Sequence, residues 1–285
     1  ARMGDYRRGT DMNKSIRRIV SPILLALALG ACGQHADEEQ AAATSPVATD
    51  VDSAPQTAIY ADAVANAARP DADRERDAGR KPAEVLEFLG IAPGMTVLDM
   101  FSGGGYYTEI LSYVVGDGGR VIAQSNEAYL QFVGDEFENR YLGGRLTNAL
   151  VLMAENNELE LEAESVDAVM LVLSFHDLFY AAPDNGWPEI DIPAFLGELH
   201  KGLRAGGIVG IIDHYAADGA SSETGGTTHR IDPAIVVAAM TAAGFELDGQ
   251  SDLLRNPDDD YDKVVFDPEL RGKTDRFIFR FRKPE

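Results

Sequence analysis

From Lys81 to the C-terminus, short apolar runs take turns with amphipathic stretches. Apolar runs of about four to eight residues bounded by turn signals read as buried strands, and a 3.6-residue apolar period reads as helix. On that basis strands are expected over 96–100, 120–124, 149–153, 166–173, 207–213, 245–254 and 276–282. Helices are expected over 82–89, 106–115, 127–138, 192–203 and 233–243. Pro82 and Pro233 stand at first-turn positions, where the missing N–H has no partner to lose, and Gly244 ends the last helix. The run 166–173 is nearly all apolar, as a strand covered on both faces should be. In 276–282, Phe277, Phe279 and Phe281 alternate with Arg276, Ile278, Arg280 and Arg282, so one buried face is expected there. Strand–helix alternation implies a parallel sheet with helices on both sides. Such sheets bind ligands beyond the carboxyl ends of their strands, so the residues just after each strand are the ones that carry chemistry.

After the first strand the chain reads Val97-Leu98-Asp99-Met100-Phe101-Ser102-Gly103-Gly104-Gly105-Tyr106-Tyr107. Glycines there permit positive φ and close backbone approach to a ligand, and the following helix offers free N–H groups. The pattern is not a dinucleotide fingerprint, because Tyr106 stands where its third glycine would be, and without a lysine it is not a P-loop. An acid closing the strand would also repel a pyrophosphate.

These residues resemble the first motif of the class I S-adenosylmethionine-dependent methyltransferases, an acid at the end of the first strand followed by a Gly-x-Gly loop. Asp99, Gly103 and Gly105 match it, and Phe101 replaces the commonest first glycine. Arg204-Ala205-Gly206-Gly207 before an apolar strand and the Phe-rich last strand extend the resemblance over about 80–282. Phe175-His176-Asp177-Leu178-Phe179-Tyr180, Asp213-His214-Tyr215 and Thr274-Asp275-Arg276-Phe277 are similar to a bacterial subgroup of predicted methyltransferases. The implied fold is α/β: a Rossmann-like, doubly wound seven-stranded sheet, mostly parallel, with an antiparallel C-terminal strand. The implied cofactor is S-adenosyl-L-methionine. Asp99 would face its amino group, and Phe101 and Tyr106 would lie against its sulfonium, a cation–π contact worth about 1–2 kcal/mol when dry. The family's acid after the second strand is missing. Ser125 or Asn126 would replace it at the ribose with weaker, neutral acceptors, or Glu127 would reach in, and Glu155 would accept from the adenine amino group. This reading requires a ligand-shaped pocket at the tip of the first strand and the family's strand order.

Ser174, His176, Asp177, Tyr180, Asp213, His214 and Tyr215 follow the fourth and fifth strands, with His229 and Arg230 on a later loop. They are the candidates for the acceptor side. His176, Asp177 and His214 are the expected catalytic set, because imidazole titrates near neutrality and a base serves an acceptor that carries a proton. Imidazoles and carboxylates also suit metals, but no H-x-x-x-H spacing groups these residues, and no metal is expected. The run Asp258-Asp259-Asp260 reads as a solvated loop.

The first third has another character. Met12 reads as a translation start with residues 1–11 upstream of it; Lys14, Arg17 and Arg18 precede an apolar run over 19–31 and then Cys32. A basic segment followed by an apolar one of that length is a secretory signal, too short to span a bilayer comfortably. Leu29-Gly30-Ala31-Cys32 resembles a bacterial lipobox, which implies a lipidated Cys32 and, with Gly33 following, an outer-membrane anchor facing the periplasm. Residues 32–57 are polar and lack apolar periodicity, so they read as a disordered tether, and 58–285 as the methyltransferase-like domain. Residues 59–68 are expected as a short helix, and 71–81 as a solvated loop or helix surface.

The sequence holds 25 Lys+Arg against 47 Asp+Glu, a formal charge of −22, which speaks against nucleic acid as a partner. The single cysteine excludes an intrachain disulfide or a cysteine-cluster metal site. The function expected is methyl transfer to a small-molecule acceptor. A nicotinamide-dependent oxidoreductase of the same general architecture, and a non-catalytic lipoprotein that kept the fold as a binding module, stand as the alternatives. Secretion away from cytosolic S-adenosylmethionine favours the second of these.

Overall fold

The computed structural model describes residues 54–142 and 144–285. The basic and apolar segments, Cys32 and most of the expected tether lie outside the described residues, and among those described no helix is long and apolar enough to cross a membrane. Three helices open the described chain: α1 (Ala54–Val64), α2 (Asp71–Arg80) and α3 (Pro82–Leu89). Thus α1 takes in the last residues of the stretch expected as tether. Of the loop or helix surface expected over 71–81, the chain forms helix over Asp71–Arg80, and Asp73 on it is buried instead of solvated.

Then come β1 (Thr96–Met100), α4 (Tyr106–Val115), β2 (Arg120–Ser125), α5 (Glu127–Val133), β3 (Ala149–Met153), β4 (Val166–Val172), α6 (Ile192–Gly202), β5 (Leu203–His214), a short α7 (Thr224–Thr227), α8 (Pro233–Ala242), β6 (Glu246–Ser251) and β7 (Arg276–Arg282). The helix expected over 127–138 stops at Gly134, and a π-type turn over Glu138–Leu142 follows. Local chemistry sets the other helix starts. Asp191 caps α6 by accepting from the Ala194 N–H at 3.1 Å, and Asp232 caps α8 by accepting from Ala234 at 2.8 Å, each ahead of an early proline.

The seven strands form one sheet in the order β3-β2-β1-β4-β5-β7-β6. β1 to β5 are mutually parallel, and β7 runs antiparallel between β5 and β6. The expected Rossmann-like sheet with an antiparallel C-terminal strand is therefore present. Chain order reverses between β1 and β4, and this is the switch point where a ligand belongs. One expectation is corrected: β7 is covered on both faces instead of one. Phe277, Phe279 and Phe281 join one core cluster and Ile278 the other.

Alternation along β1 distributes the two cores. Leu98 and Met100 face α6 and α8 with Phe195, Leu199 and Val236, while Val97 faces α3 and α4 with Leu86, Ile110 and Leu111. Each such buried side chain contributes about 1.5–3 kcal/mol, so truncating Phe195 to Ala, with the cavity it leaves, would cost about 3–5 kcal/mol.

Candidate active site at the carboxyl edge

Asp99 closes β1, opposite Ala123 of β2 and Met170 of β4. Alternation points it to the α4 side, where Thr108 donates its hydroxyl to Oδ2 at 2.6 Å. The carboxyl is 3% exposed, and burial pushes it up to about 7 against the Thr108 hydrogen bonds. A cation beside it would reverse that shift.

The loop that follows is sharply bent. Phe101 has φ 52°, Gly103 54° and Gly105 77°. A non-glycine residue at positive φ costs about 1–3 kcal/mol and is held by its surroundings. Here the Phe101 N–H donates to Gln124 Oε1 at 2.9 Å, and the Phe101 ring packs on Tyr129 and Phe195 at 5.0 and 6.2 Å. Gln124 also donates to Ala154 O at 2.9 Å and to Asn156 Oδ1 at 3.2 Å, which ties the ends of β1, β2 and β3 together. Sequence reasoning passed over Gln124 and Asn156, because one sits inside a strand and the other beside the more obvious Glu155.

The expected cofactor residues divide into two groups. Ser125 is fully buried at the end of β2, and its Oγ has no hydrogen-bond partner; Ser174, at the end of β4, is in the same state. Buried hydroxyls are rarely left so, and a polar ligand would satisfy them. Asn126 is spent otherwise: its Oδ1 caps α5 by accepting from the Tyr129 N–H at 2.9 Å. Glu155 is half-buried and Glu127 exposed. Phe101 is committed to the core. Tyr106 turns away, donating to Asp77 Oδ1 at 2.6 Å, with the guanidiniums of Arg69, Arg76 and Arg80 at 4.5–5.4 Å from its ring. Cations of the protein already occupy the face expected to meet a sulfonium.

The space over the glycine loop is filled. A Cβ on Gly104 would strike the Glu136 side chain, and one on Gly105 would strike Arg140 and Tyr141. Arg140 is buried, donates to Gly104 O and Glu109, and reaches Asp73 at 2.8 Å, so it clasps α2, α4 and the loop. Tyr141 OH lies 3.0 Å from Thr108 Oγ1. The polar groups at the strand tips thus fit a polar nucleoside ligand, while the segment 134–142 covers the place its amino-acid end would take. A cleft of about 440 Å³ does open between α1, the C-terminal end of α4 and residues 145–148, but that is the opposite edge of the sheet.

The acceptor-side residues converge more tightly than their spacing suggests. Asp213 accepts the backbone N–H of His176 at Oδ2 and that of His214 at Oδ1, both at 2.8 Å, and its Oδ1 lies 2.8 Å from His176 Nδ1. His176 Nε2 lies 3.4 Å from Asp177 Oδ1 and 3.3 Å from His229 Nδ1. Tyr129 donates to the other oxygen of Asp177. Burial opposes charge on His176, but the carboxylates of Asp213 and Asp177 outweigh it and raise the imidazole to about 9. Burial raises Asp177. It lowers His229, with His176 adding to the effect. His214 does not join this group: it pairs with Thr274 Oγ1 at 2.7 Å, and burial with the charge of His176 holds it well below its usual range. Arg230 is structural, forming a two-point pair with buried Asp259 at 2.7 and 3.0 Å, so the acidic run 258–260 is not simply solvated. Tyr180 packs on Trp187, and the Arg255 guanidinium lies over the Tyr215 ring.

The strand order is that of the class I methyltransferase fold. The family model of the protein-L-isoaspartate (D-aspartate) O-methyltransferases matches residues 54–134. A chain of the Haloferax volcanii complex between the Trm112 methyltransferase activator and a methyltransferase is 16% identical, with a TM-score of 0.51 over 81% of this chain and 98% of that one. A SAM-dependent methyltransferase from Aquifex aeolicus is 25% identical, with a TM-score of 0.49 over 70% of this chain and 88% of the other. No curated protein matches the sequence. The likeness to the Haloferax chain establishes the fold alone, and a fold does not name a reaction.

Proposed function

We propose that the domain transfers a methyl group from S-adenosyl-L-methionine to a small-molecule acceptor. The observation that carries this reading is the set of incompletely satisfied polar groups at the switch point: Asp99 with Thr108 as its partner, and the orphaned hydroxyl of Ser125. When bound, the cofactor supplies an electrophilic methyl on a sulfonium. Asp99 would hold its ammonium group, Ser125 its ribose, and Glu155 its adenine. Phe101, Tyr129 and Trp187, with ring centres 5.0 and 5.5 Å apart in succession, form an apolar wall that excludes water. His176, steadied by Asp213, holds or moves a proton at Nε2. Methyl transfer gains most of its rate from holding the nucleophile in line, so the acceptor's position matters more than the strength of a base. Loading requires Glu136, Arg140 and Tyr141 to move off the glycine loop.

That covered loop favours a second reading, a binding module that kept the fold without the chemistry. Calorimetry of the full chain with S-adenosylmethionine, S-adenosylhomocysteine and NAD separates the readings. Micromolar binding of S-adenosylhomocysteine that Asp99→Ala abolishes supports methyl transfer. Binding of neither sulfur nucleoside supports the module, and binding of NAD alone supports an oxidoreductase. We further propose that lipidated Cys32 anchors the domain to the bacterial envelope, at the outer membrane facing the periplasm. Palmitate labelling that persists in Cys32→Ser would overturn the anchor.

A further inference from the structure

We propose that His176, Asp177 and His229 form a three-ligand site for a divalent first-row transition ion, leaving at least one coordination position for water or a substrate atom. His176 Nε2, Asp177 Oδ1 and His229 Nδ1 are separated by 3.3, 3.4 and 3.9 Å. Ligand atoms about 2.0–2.1 Å from a tetrahedral zinc stand about 3.3–3.4 Å apart, so a small closure of His229 toward Asp177 completes the set. The three atoms lie within 4.8 Å of one another, and no other such group occurs among the described residues.

The outer contacts are what a metal site needs. His176 Nδ1 faces Asp213 Oδ1 at 2.8 Å. A carboxylate only accepts, so Nδ1 keeps a proton against Asp213, and a bound cation would displace the proton from Nε2, the nitrogen that faces the cluster. Asp213 is pinned by two backbone N–H groups. Tyr129 occupies Asp177 Oδ2 and leaves Oδ1 free to ligate. His229 is held at φ 57°, a strained backbone for a non-glycine residue, with its ring against Phe266 at 4.8 Å. Two imidazoles and one carboxylate select zinc, iron, cobalt or nickel over calcium or magnesium, which prefer all-oxygen sets. The site lies on the acceptor side of the carboxyl edge, where a bound ion would polarise a substrate oxygen or lower the pKa of a hydroxyl. It uses none of the residues assigned to the nucleoside, so it can hold or fail independently of cofactor binding; an ion on His176 Nε2 would take the place of the proton assigned to that atom above.

The test is titration of the full chain, stripped by chelator dialysis, with Zn²⁺ by calorimetry and with Co²⁺ by visible absorption. One equivalent should bind, with the intense visible bands of low-coordinate Co²⁺. His229→Ala should weaken Zn²⁺ binding about 100-fold or more, and Asp213→Asn about 10- to 100-fold through the lost orientation of His176. His200→Ala, whose ring packs on Phe245 instead of the cluster, should bind as the parent does. The His229 side chain is about one-third exposed (31%) on a loop, so its variant should keep the parent's circular dichroism. Absence of saturable binding in the parent would overturn the site. So would a folded His229→Ala that binds Zn²⁺ as tightly as the parent, which would mark the ion as held by the acidic surface.

Discussion

Replacing Asp99 with Asn isolates the cost of keeping a carboxylate inside the sheet. Burial pushes this group from its usual value near 3.8 up to about 7. Between those values the native chain holds a proton that the unfolded chain has released, so stability falls as pH rises through the window and levels off above it. Each tenfold step in proton affinity is about 1.4 kcal/mol. Integrated from pH 5 to pH 8, Asp99 takes about 2–3 kcal/mol from the folded state. Asn has the same shape and no charge, so it escapes that loss. The variant's advantage over the parent should therefore grow by about 2–3 kcal/mol from pH 5 to pH 8, or about 5–10 °C in melting temperature for a domain of this size. Urea unfolding at both pH values, with unchanged slope, measures it; the other titrating groups are common to both proteins and cancel. A margin that does not change with pH would refute the claim that Asp99 is a buried carboxyl with a raised pKa. In the same variant S-adenosylhomocysteine binding should be lost, because Asn offers no charge to an ammonium.

Asp259→Ala leaves the Arg230 guanidinium buried without its carboxylate and should cost about 3–5 kcal/mol by urea denaturation. Arg140→Ala removes the clasp on Gly104 while Arg145 still reaches Glu109 at 2.7 Å, so it should destabilise the fold yet tighten S-adenosylhomocysteine binding in calorimetry. Gly105→Ala puts a side chain at φ 77° against Arg140 and Tyr141; a loss of about 1–3 kcal/mol in thermal unfolding is expected.

The two aspartates met in acidic or strand-end contexts show how far local pattern reaches. Asp99 was legible as a site residue because its neighbours in sequence are also its neighbours in space: a strand, a bend and a helix start. Asp259 was not, because Arg230, its partner, lies 29 positions away and its loop reads as solvent-facing. The surroundings of Tyr106 were hidden for a similar reason. Its place after the glycines is local, but the arginines that take up its ring come from α2 and the turn before it. Arg140 left no local signal at all, since nothing near it in sequence says that it will lie across Gly104.

The chain's own periodicity settled the elements, their alternation and hence a mostly parallel α/β sheet, because apolar spacing and caps act over one or two turns of backbone. It also placed Asp99, Ser125 and His176 at strand ends, where such sheets bind ligands. Tertiary structure alone decided which of those side chains are left without partners, that the glycine loop is covered from 134–142, and that His229 meets His176 and Asp177. Those outcomes depend on contacts between segments brought together only when both faces of the sheet are packed, and no spacing along the chain encodes them.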